Sequence, residues 1–265
     1  MRSLQVAHRL EGKDVLLIGG GEVAMTRIPK LLPTGCKITL VAPILDKFLK
    51  EKYFCSNNGI HTVSSGQISI RKDWTPEDYS IYKIIESKFH EDYLLQSSTW
   101  SMILLCIPDK LESERIYHLC KRKYGQQQMI NVADIPKFCD FYFGSNINLT
   151  KDGNLQILIS SNGLSPRFTS LVKNEIGSMF EDWELDGALE KLGQLRSSIR
   201  QLTDIDISIK YRMQWIKKCT DIFGLSYCHK IDVNKLVELF KSMTSIEPKS
   251  LEFPSREHML SNYTS

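Results

Sequence analysis

Three stretches of this chain hold residues whose types and spacing could do chemistry. In DVLLIGGGEVAMTR, residues 14–27, Gly19, Gly21 and Ala24 stand as G-x-G-x-x-A directly after the apolar run Val15–Ile18. A turn of this composition suits a dinucleotide. The first glycine permits the bend, the second lets a pyrophosphate approach the backbone, and the small third residue lets helix and strand pack closely. Backbone N–H groups at the helix start would face the phosphates. The alternative is a tight bend without a ligand; the buried strand before it and the helix after it favour the cofactor. In NVADIPKFCDFYF, residues 131–143, Asn131 and Asp134 fall at the end of an expected parallel strand, where open α/β sheets hold their ligands. A carboxylate there could act as a base, or could simply cap a turn. In SSNGLSPR, residues 160–167, hydroxyls, a turn, a helix start at Ser165-Pro166 and Arg167 make a composition suited to carboxylates, or an ordinary loop and cap.

Metal chemistry leaves little trace. Cys228 and His229 are adjacent, but no CxxC or H-x-x-x-H spacing occurs, so no metal ligand is assigned and His229 reads as a packed or solvated linker residue. Asp140 reads as a structural cap.

The elements that must position these residues alternate in the first half. After the strand at Val15–Ile18, a helix is expected over Ala24–Leu32, shortened or kinked by Pro29, and a second strand over KITLV, Lys37–Val41. Residues 46–99 are harder to read. They suggest a turn at Asn57-Asn58-Gly59, short strands near Gln67–Ile70 and a helix near Tyr79–Phe89. SMILLCI, residues 101–107, is another buried strand. Asp109 with Glu112 has capping-box spacing for a helix to about Lys123, and Met129–Val132 is the next strand. Phe141–Phe143, Asn146–Leu149 and Leu155–Ser160 then read as an antiparallel element, with a helix from Ser165-Pro166 to about Phe180. From Trp183 only helical apolar stripes remain, the last helix capped by Asp232, followed by a polar tail.

The expected architecture is α/β: a Rossmann-like N-terminal domain over 1–143, a mixed α+β segment over 144–182 and a helical C-terminal domain over 183–265. At 265 residues, 42% hydrophobic and 25% charged, the composition is that of an ordinary globular protein. A formal charge of +3 is too small to argue for nucleic acid, and no apolar stretch approaches the roughly 20 residues of a membrane span. Seven cysteines, odd in number and scattered, with no apolar leader, read as reduced thiols in a cytoplasmic protein. On residues alone NAD against NADP stays open, because strand two ends LVAPI with no acidic residue for a ribose, Asp46 lies late, and Lys47 would favour a 2′-phosphate.

GGGEVAMTRIPKLLPTGCKITLVAP, CIPD, NVADIPKFCDFYF and ISSNGLSPRFTSLVKNEI occur in the order and spacing of sirohaem synthases of the precorrin-2 dehydrogenase and sirohydrochlorin ferrochelatase type. The C-terminal half, with YRMQWIKKCTDIFG and CHKIDVNKL, resembles the fungal bifunctional form. The resemblance covers nearly the whole chain, least in 46–99. It implies NAD at the glycine turn, oxidation of precorrin-2 to sirohydrochlorin, insertion of ferrous iron as substrate to give sirohaem, and a homodimer built on the middle segment. It carries the family's essential aspartate onto Asp134. Its nucleotide contacts fall on Gly21, Glu22, Val23, Ala42, Pro43, Cys106 and Ile107, with Gly19 as the bend. For a polycarboxylate substrate the candidates are Asn131, Ser165, Arg167 and Lys173, while Arg196, Arg200, Lys210 and Arg212 read as the solvated faces of helices. Two rival readings are a dehydrogenase without chelatase activity and a non-catalytic NAD-sensing dimer. Asp134 beside an intact glycine turn argues against the second.

Overall fold

The computed structural model describes residues 3–54, 68–202, 209–245 and 251–265. Two compact units are present, one of Met1–Phe143 with Ser160–Leu164 and the other of Gly144–Ile159 with Ser165–Ser265.

The first unit is a six-stranded sheet of β1 (Asp14–Ile18), β2 (Lys37–Val41), β3 (Ile68–Ile70), β4 (Lys83–Ile85), β5 (Met102–Leu105) and β6 (Ile130–Val132). The strands lie in the order β3-β4-β2-β1-β5-β6, all parallel except β3. Such sheets are covered on both faces, which is why DVLLI and MILL are nearly continuous apolar runs. Val15, Leu17, Ile38, Leu40 and Leu104 pack on one face with Ala24, Ile28 and Leu31 of α1 (Glu22–Leu31). Leu16, Ile18, Ile103, Leu105, Ile130 and Val132 pack on the other with Ile116 and Cys120 of α3 (Lys110–Tyr124), α2 (Lys47–Tyr53) lying between them in sequence. Burial on this scale, about 1.5–3 kcal/mol per large aliphatic side chain, fixes the sheet. The strand order reverses between β1 and β5, so the crevice at their carboxyl ends is where a ligand is held in folds of this kind.

Several expectations are corrected. The segment Tyr79–Phe89 holds strand β4 and not a helix: Ile81, Ile84 and Ile85 have helical spacing, but all three are buried and β4 pairs in parallel with β2. Phe141–Phe143 is not a strand; the two-stranded antiparallel element consists of β7 (Ser145–Asn148) and β8 (Gln156–Ile159). α1 begins two residues earlier than expected and continues through Pro29, whose missing N–H falls one turn from the helix end; a 3-10 turn over Leu32–Thr34 and Gly35 at φ 67° follow. Asp109 caps α3 through Leu111 and Glu112 N–H, but Glu112 turns to Arg115 instead of completing the box. The turn at Asn57-Asn58-Gly59, and Gln67 at the start of the expected strand, lie outside the described residues.

In the second unit α4 (Pro166–Met179) follows the hairpin, with Thr169 and Ser145 hydroxyls 2.9 Å apart. Then come α5 (Leu185–Leu202), α6 (Ile209–Tyr227), α7 (Val233–Thr244) and α8 (Arg256–Asn262). Leu195, Ile199, Trp215, Cys219, Phe223, Leu236, Phe240 and Met259 form their core. α6 carries a break at Gly224, φ 58°, the stop expected there, and Asp232 caps α7 by accepting from Lys235 N–H at 3.1 Å. The expected polar tail is instead α8, with Met259 fully buried and Thr264 bridged to Ile231, because Met259 and Leu260 of this roughly two-turn helix pack into the helical core.

Candidate active site at the carboxyl edge of the sheet

The chain leaves β1 at Gly19, whose N–H donates to Val41 O at 2.9 Å, while Cys106 N–H donates to Ile18 O at 2.7 Å. The turn is thereby clamped between the ends of β2 and β5. Gly19 sits at φ 113°, and a Cβ there would collide with the Cys106 carbonyl; at Gly20 a Cβ would lie 2.8 Å from Ile44 O. Both glycines are demanded by the protein's own backbone. Gly21 is different. It is exposed, its φ of −91° suits any residue, and a Cβ would meet nothing within 4 Å. Nothing inside the described chain requires glycine at the N-cap of α1, so the open space there fits a group that approaches from outside, as a pyrophosphate does at this position. Glu22 is exposed and Val23 half-buried on the first turn of the helix.

The flanks of the cradle come from the neighbouring strand ends. Ala42 is buried and bonded through its N–H to Ile85 O, and Pro43 and Ile44 beyond it are exposed. Asp46 is occupied: its carboxylate caps α2 by accepting from Phe48 N–H at 2.8 Å. At the end of β4, Glu86 pairs with Lys50 at 2.6 Å. Cys106 is buried, and burial pushes its thiol up to about 12, with Arg27 pulling weakly the other way, so it is a neutral wall of the crevice and not a nucleophile. Ile107 beside it is half-buried.

After β6 the chain turns through Ala133 and Asp134. Ala133 N–H donates to Leu105 O at 2.9 Å, and Asp134 stands at φ 59°, a left-handed conformation that costs a non-glycine residue about 1 kcal/mol. Its side chain is exposed, and among the described residues nothing bonds its carboxylate. The turn around it is held firmly. Cys139 Sγ reaches Val132 O at 3.1 Å, Phe138 stacks on Tyr117 at 4.6 Å, and Asp140 accepts from Ile130 N–H and Lys121 Nζ, both at 2.8 Å. Lys121, only 4% exposed, also donates to the carbonyls of Gln126 and Gln128. Asp140 is therefore structural, as expected, and Lys121 is its partner, unnoticed in the sequence because a lysine near a helix end ordinarily reads as solvated. Asn131 is buried, and its amide donates to Phe141 O at 2.8 Å. In this way it ties the strand to the segment that follows.

Ser165, Arg167 and Lys173 belong to the second unit. Ser165 precedes α4 without capping it through its side chain, Arg167 is exposed on the first turn, and Lys173 is half-buried. His229 is half-buried beside Gly187 of α5, where an added Cβ would lie 3.8 Å from the His229 Cβ. Among the described residues no three His, Cys, Asp or Glu side chains gather to hold a metal. The six described cysteines are free. One further residue of this region, Arg27, went unnoticed in the sequence, although its spacing from Ala24 and Leu31 puts a charge on the buried side of α1.

Residues 6–145 match the family model described as "Putative NAD(P)-binding", residues 152–179 that of the sirohaem biosynthesis protein central region, and residues 183–247 that of its C-terminal region. The siroheme biosynthesis protein of Saccharomyces cerevisiae is 48% identical over 274 residues, spanning 100% of this chain and 99% of that protein. The chain belongs to the fungal family of sirohaem biosynthesis proteins. The siroheme biosynthesis protein of Schizosaccharomyces pombe is 31% identical, covering 91% of this chain and 81% of its own length. The siroheme synthase of Nitrosococcus oceani is 26% identical over 76% of the chain, which spans 36% of that longer protein. Among solved structures, SirC, a precorrin-2 dehydrogenase, superposes with a TM-score of 0.58 at 20% identity, covering 92% of this chain and 100% of that one, a likeness of fold. For a sirohaem biosynthesis protein of this family the nucleotide-binding fold and the helical C-terminal part are the expected architecture, and no described helix is long and apolar enough to cross a membrane.

Proposed function

We propose that this chain oxidises precorrin-2 to sirohydrochlorin with NAD and then inserts ferrous iron to give sirohaem. What carries the reading is one juxtaposition: the open cradle at Gly21 and the exposed, unbonded carboxylate of Asp134 follow the carboxyl ends of β1 and β6, strands that lie two spacings, or about 10 Å, apart in the sheet. Gly19, Gly21, Glu22 and Val23 would hold the pyrophosphate, and Ala42, Pro43, Cys106 and Ile107 would flank the nucleotide. When bound, the nicotinamide supplies the hydride acceptor. Asp134 supplies the other half of the oxidation by taking the proton that leaves as the hydride departs. In the second reaction two pyrrole N–H protons must leave as ferrous iron enters, and Asp134 is the base available on this edge. Its rigid turn and its freedom from other bonds suit a group that must give and take protons. Asn131 holds the segment after β6 in register with that turn.

Ser165, Arg167 and Lys173 are assigned to the substrate's carboxylates, Arg167 through charge-assisted bonds. The homodimer is assigned to the segment 144–182, where Phe168, Leu171 and Met179 are exposed on α4, and residues 183–265 form the helical domain. Free thiols, all but Cys139 buried among the described residues, accord with a cytoplasmic enzyme.

The test is anaerobic: purified protein is given precorrin-2 and NAD, and NADH and the macrocycle spectrum are followed before and after ferrous iron is added. NADH formation followed by metallation faster than a protein-free control is the expected result. Metallation at the control rate would leave a dehydrogenase alone. NAD binding without turnover would remove the enzymatic reading.

A further inference from the structure

Arg27 is a charged residue of the crevice region that the proposed reactions have not used. It lies on α1, half-buried, at the i+3 position from Ala24. Its guanidinium carbon stands 4.7 Å from the centroid of the Phe143 ring, and Lys30 Nζ is 5.8 Å from the same ring. Phe143 is in turn set edge-on against Phe141, whose carbonyl holds the Asn131 amide. Arg27 Nε is sealed from solvent with no acceptor, and no hydrogen bond or ion pair engages the guanidinium among the described residues. By contrast Arg71, another deeply placed arginine, has Ser80 and Asp78 as partners. A guanidinium N–H sealed from water without an acceptor is costly, and a group left so in a folded protein calls for an explanation. Stacking on one aromatic ring offsets only part of that cost.

The position of the charge narrows the explanation. The guanidinium is near enough to the thiols of Cys106 and Cys139 to pull against the upward push of burial at both. Cys106 follows β5 and forms the wall behind Gly19, while Cys139 is bonded back to Val132 at the end of β6. Through Phe143 and Phe141, Arg27 is thus placed beside the segment that leaves β6, and its charge is felt at the wall behind Gly19.

We propose that Arg27 is a substrate-binding residue that receives a carboxylate of the anionic macrocycle, so fixing the ring relative to Asp134. This rests on the function proposed above. A planar fork already held over Phe143 loses little freedom on pairing with a planar carboxylate, which a lysine would not match. The pair adds binding and orientation, and takes no part in moving the proton.

The experiment compares the full-length chain with Arg27→Met, which keeps a stem over Phe143, and with Arg27→Lys. Sirohydrochlorin and NAD affinities are read by tryptophan fluorescence, KM and kcat by precorrin-2 turnover, and Tm by thermal melting. Expected for Arg27→Met is a rise of roughly 10- to 100-fold in sirohydrochlorin Kd and precorrin-2 KM, the loss of one hydrogen-bonded charge pair. NAD affinity should stay within about twofold, with partial recovery in Arg27→Lys. Unchanged tetrapyrrole affinity with a lowered Tm would reduce Arg27 to a structural stack and overturn the proposal; an equal loss of NAD affinity would reassign it to the cofactor. If the unsubstituted chain neither binds sirohydrochlorin nor oxidises precorrin-2, the functional reading itself fails and takes this one with it, an outcome seen without any variant.

Discussion

After β1 the chain reverses through Gly19, Gly20 and Gly21; after β6 it reverses through Ala133 and Asp134, an acidic residue held at φ 59° where a glycine would be easier. In the first turn the need for glycine comes from inside at Gly19 and Gly20, which lie against the Cys106 and Ile44 carbonyls, and from outside at Gly21, where nothing of the chain intrudes. In the second turn the backbone asks for the opposite of what is present. The same edge of the sheet therefore holds one position emptied for a ligand and one position strained to present a side chain. The difference teaches where to look for function: at the residues the fold alone does not explain.

That contrast can be broken most sharply at Asp134. Asp134→Ala should lower precorrin-2 oxidation about 10²- to 10⁴-fold, the usual contribution of a positioned base, with NAD affinity nearly unchanged. Normal turnover would make the residue part of a turn and nothing more. Gly19→Ala and Gly21→Ala should separate the two kinds of glycine. The first forces a Cβ onto the Cys106 carbonyl at positive φ and should cost about 2–4 kcal/mol in denaturant titration. The second should leave stability within about 0.5 kcal/mol, like other surface changes, yet weaken NAD. Gly21→Asp, which adds charge as well as bulk, should abolish NAD-dependent oxidation; if chelation of supplied sirohydrochlorin survives it, the two reactions share the edge but not the cofactor.

A smaller effect is expected at the support of the second turn. Asp140→Ala leaves Ile130 N–H and Lys121 Nζ short of an acceptor and should cost about 1–3 kcal/mol, with kcat falling more than NAD affinity as the Asp134 turn loosens. An unchanged kcat would show that Phe138 and Cys139 suffice to hold it. Near neutral pH the thiols contribute no pH dependence, and their effect appears only in alkali. Burial raises the thiols of Cys36 to about 11 and of Cys106, Cys120 and Cys219 to about 12, from 9.0. The folded chain then keeps protons that the unfolded chain loses, so this contribution is complete below about pH 9 and declines toward pH 12. Denaturant midpoints measured from pH 8 upward should fall, and replacing Cys120 by Ala should flatten part of that fall.

Much of this could be read from residue order. The apolar runs of β1, β2, β5 and β6, the Asp109 and Asp232 caps and the stop at Gly224 announce themselves because each depends on neighbours in sequence. β4 could not, since IYKII satisfies helical spacing and becomes a strand only because β2 offers it a ladder. Nor could α8, whose single buried methionine is too short a signal without the helical core it joins. At the site, Gly19, Gly21 and Asp134 were visible as types at informative positions. Asn131 was visible too, but its bond to a carbonyl ten residues away was not. Arg27 was hidden, its charge masked within an ordinary helix pattern.

What the sequence determined by itself is therefore the local chemistry: a strand, a glycine turn and a helix in succession, an aspartate after a buried strand, and the membership those motifs imply. Only the tertiary structure decided which glycine is free, that Asp134 is strained and unbonded while Asp140 is pinned by Lys121, and that Arg27 lies over Phe143 without a counter-charge. The reason is physical: propensity and spacing act over a few residues, whereas burial, close approach and the satisfaction of a polar group depend on partners that the chain brings from far away.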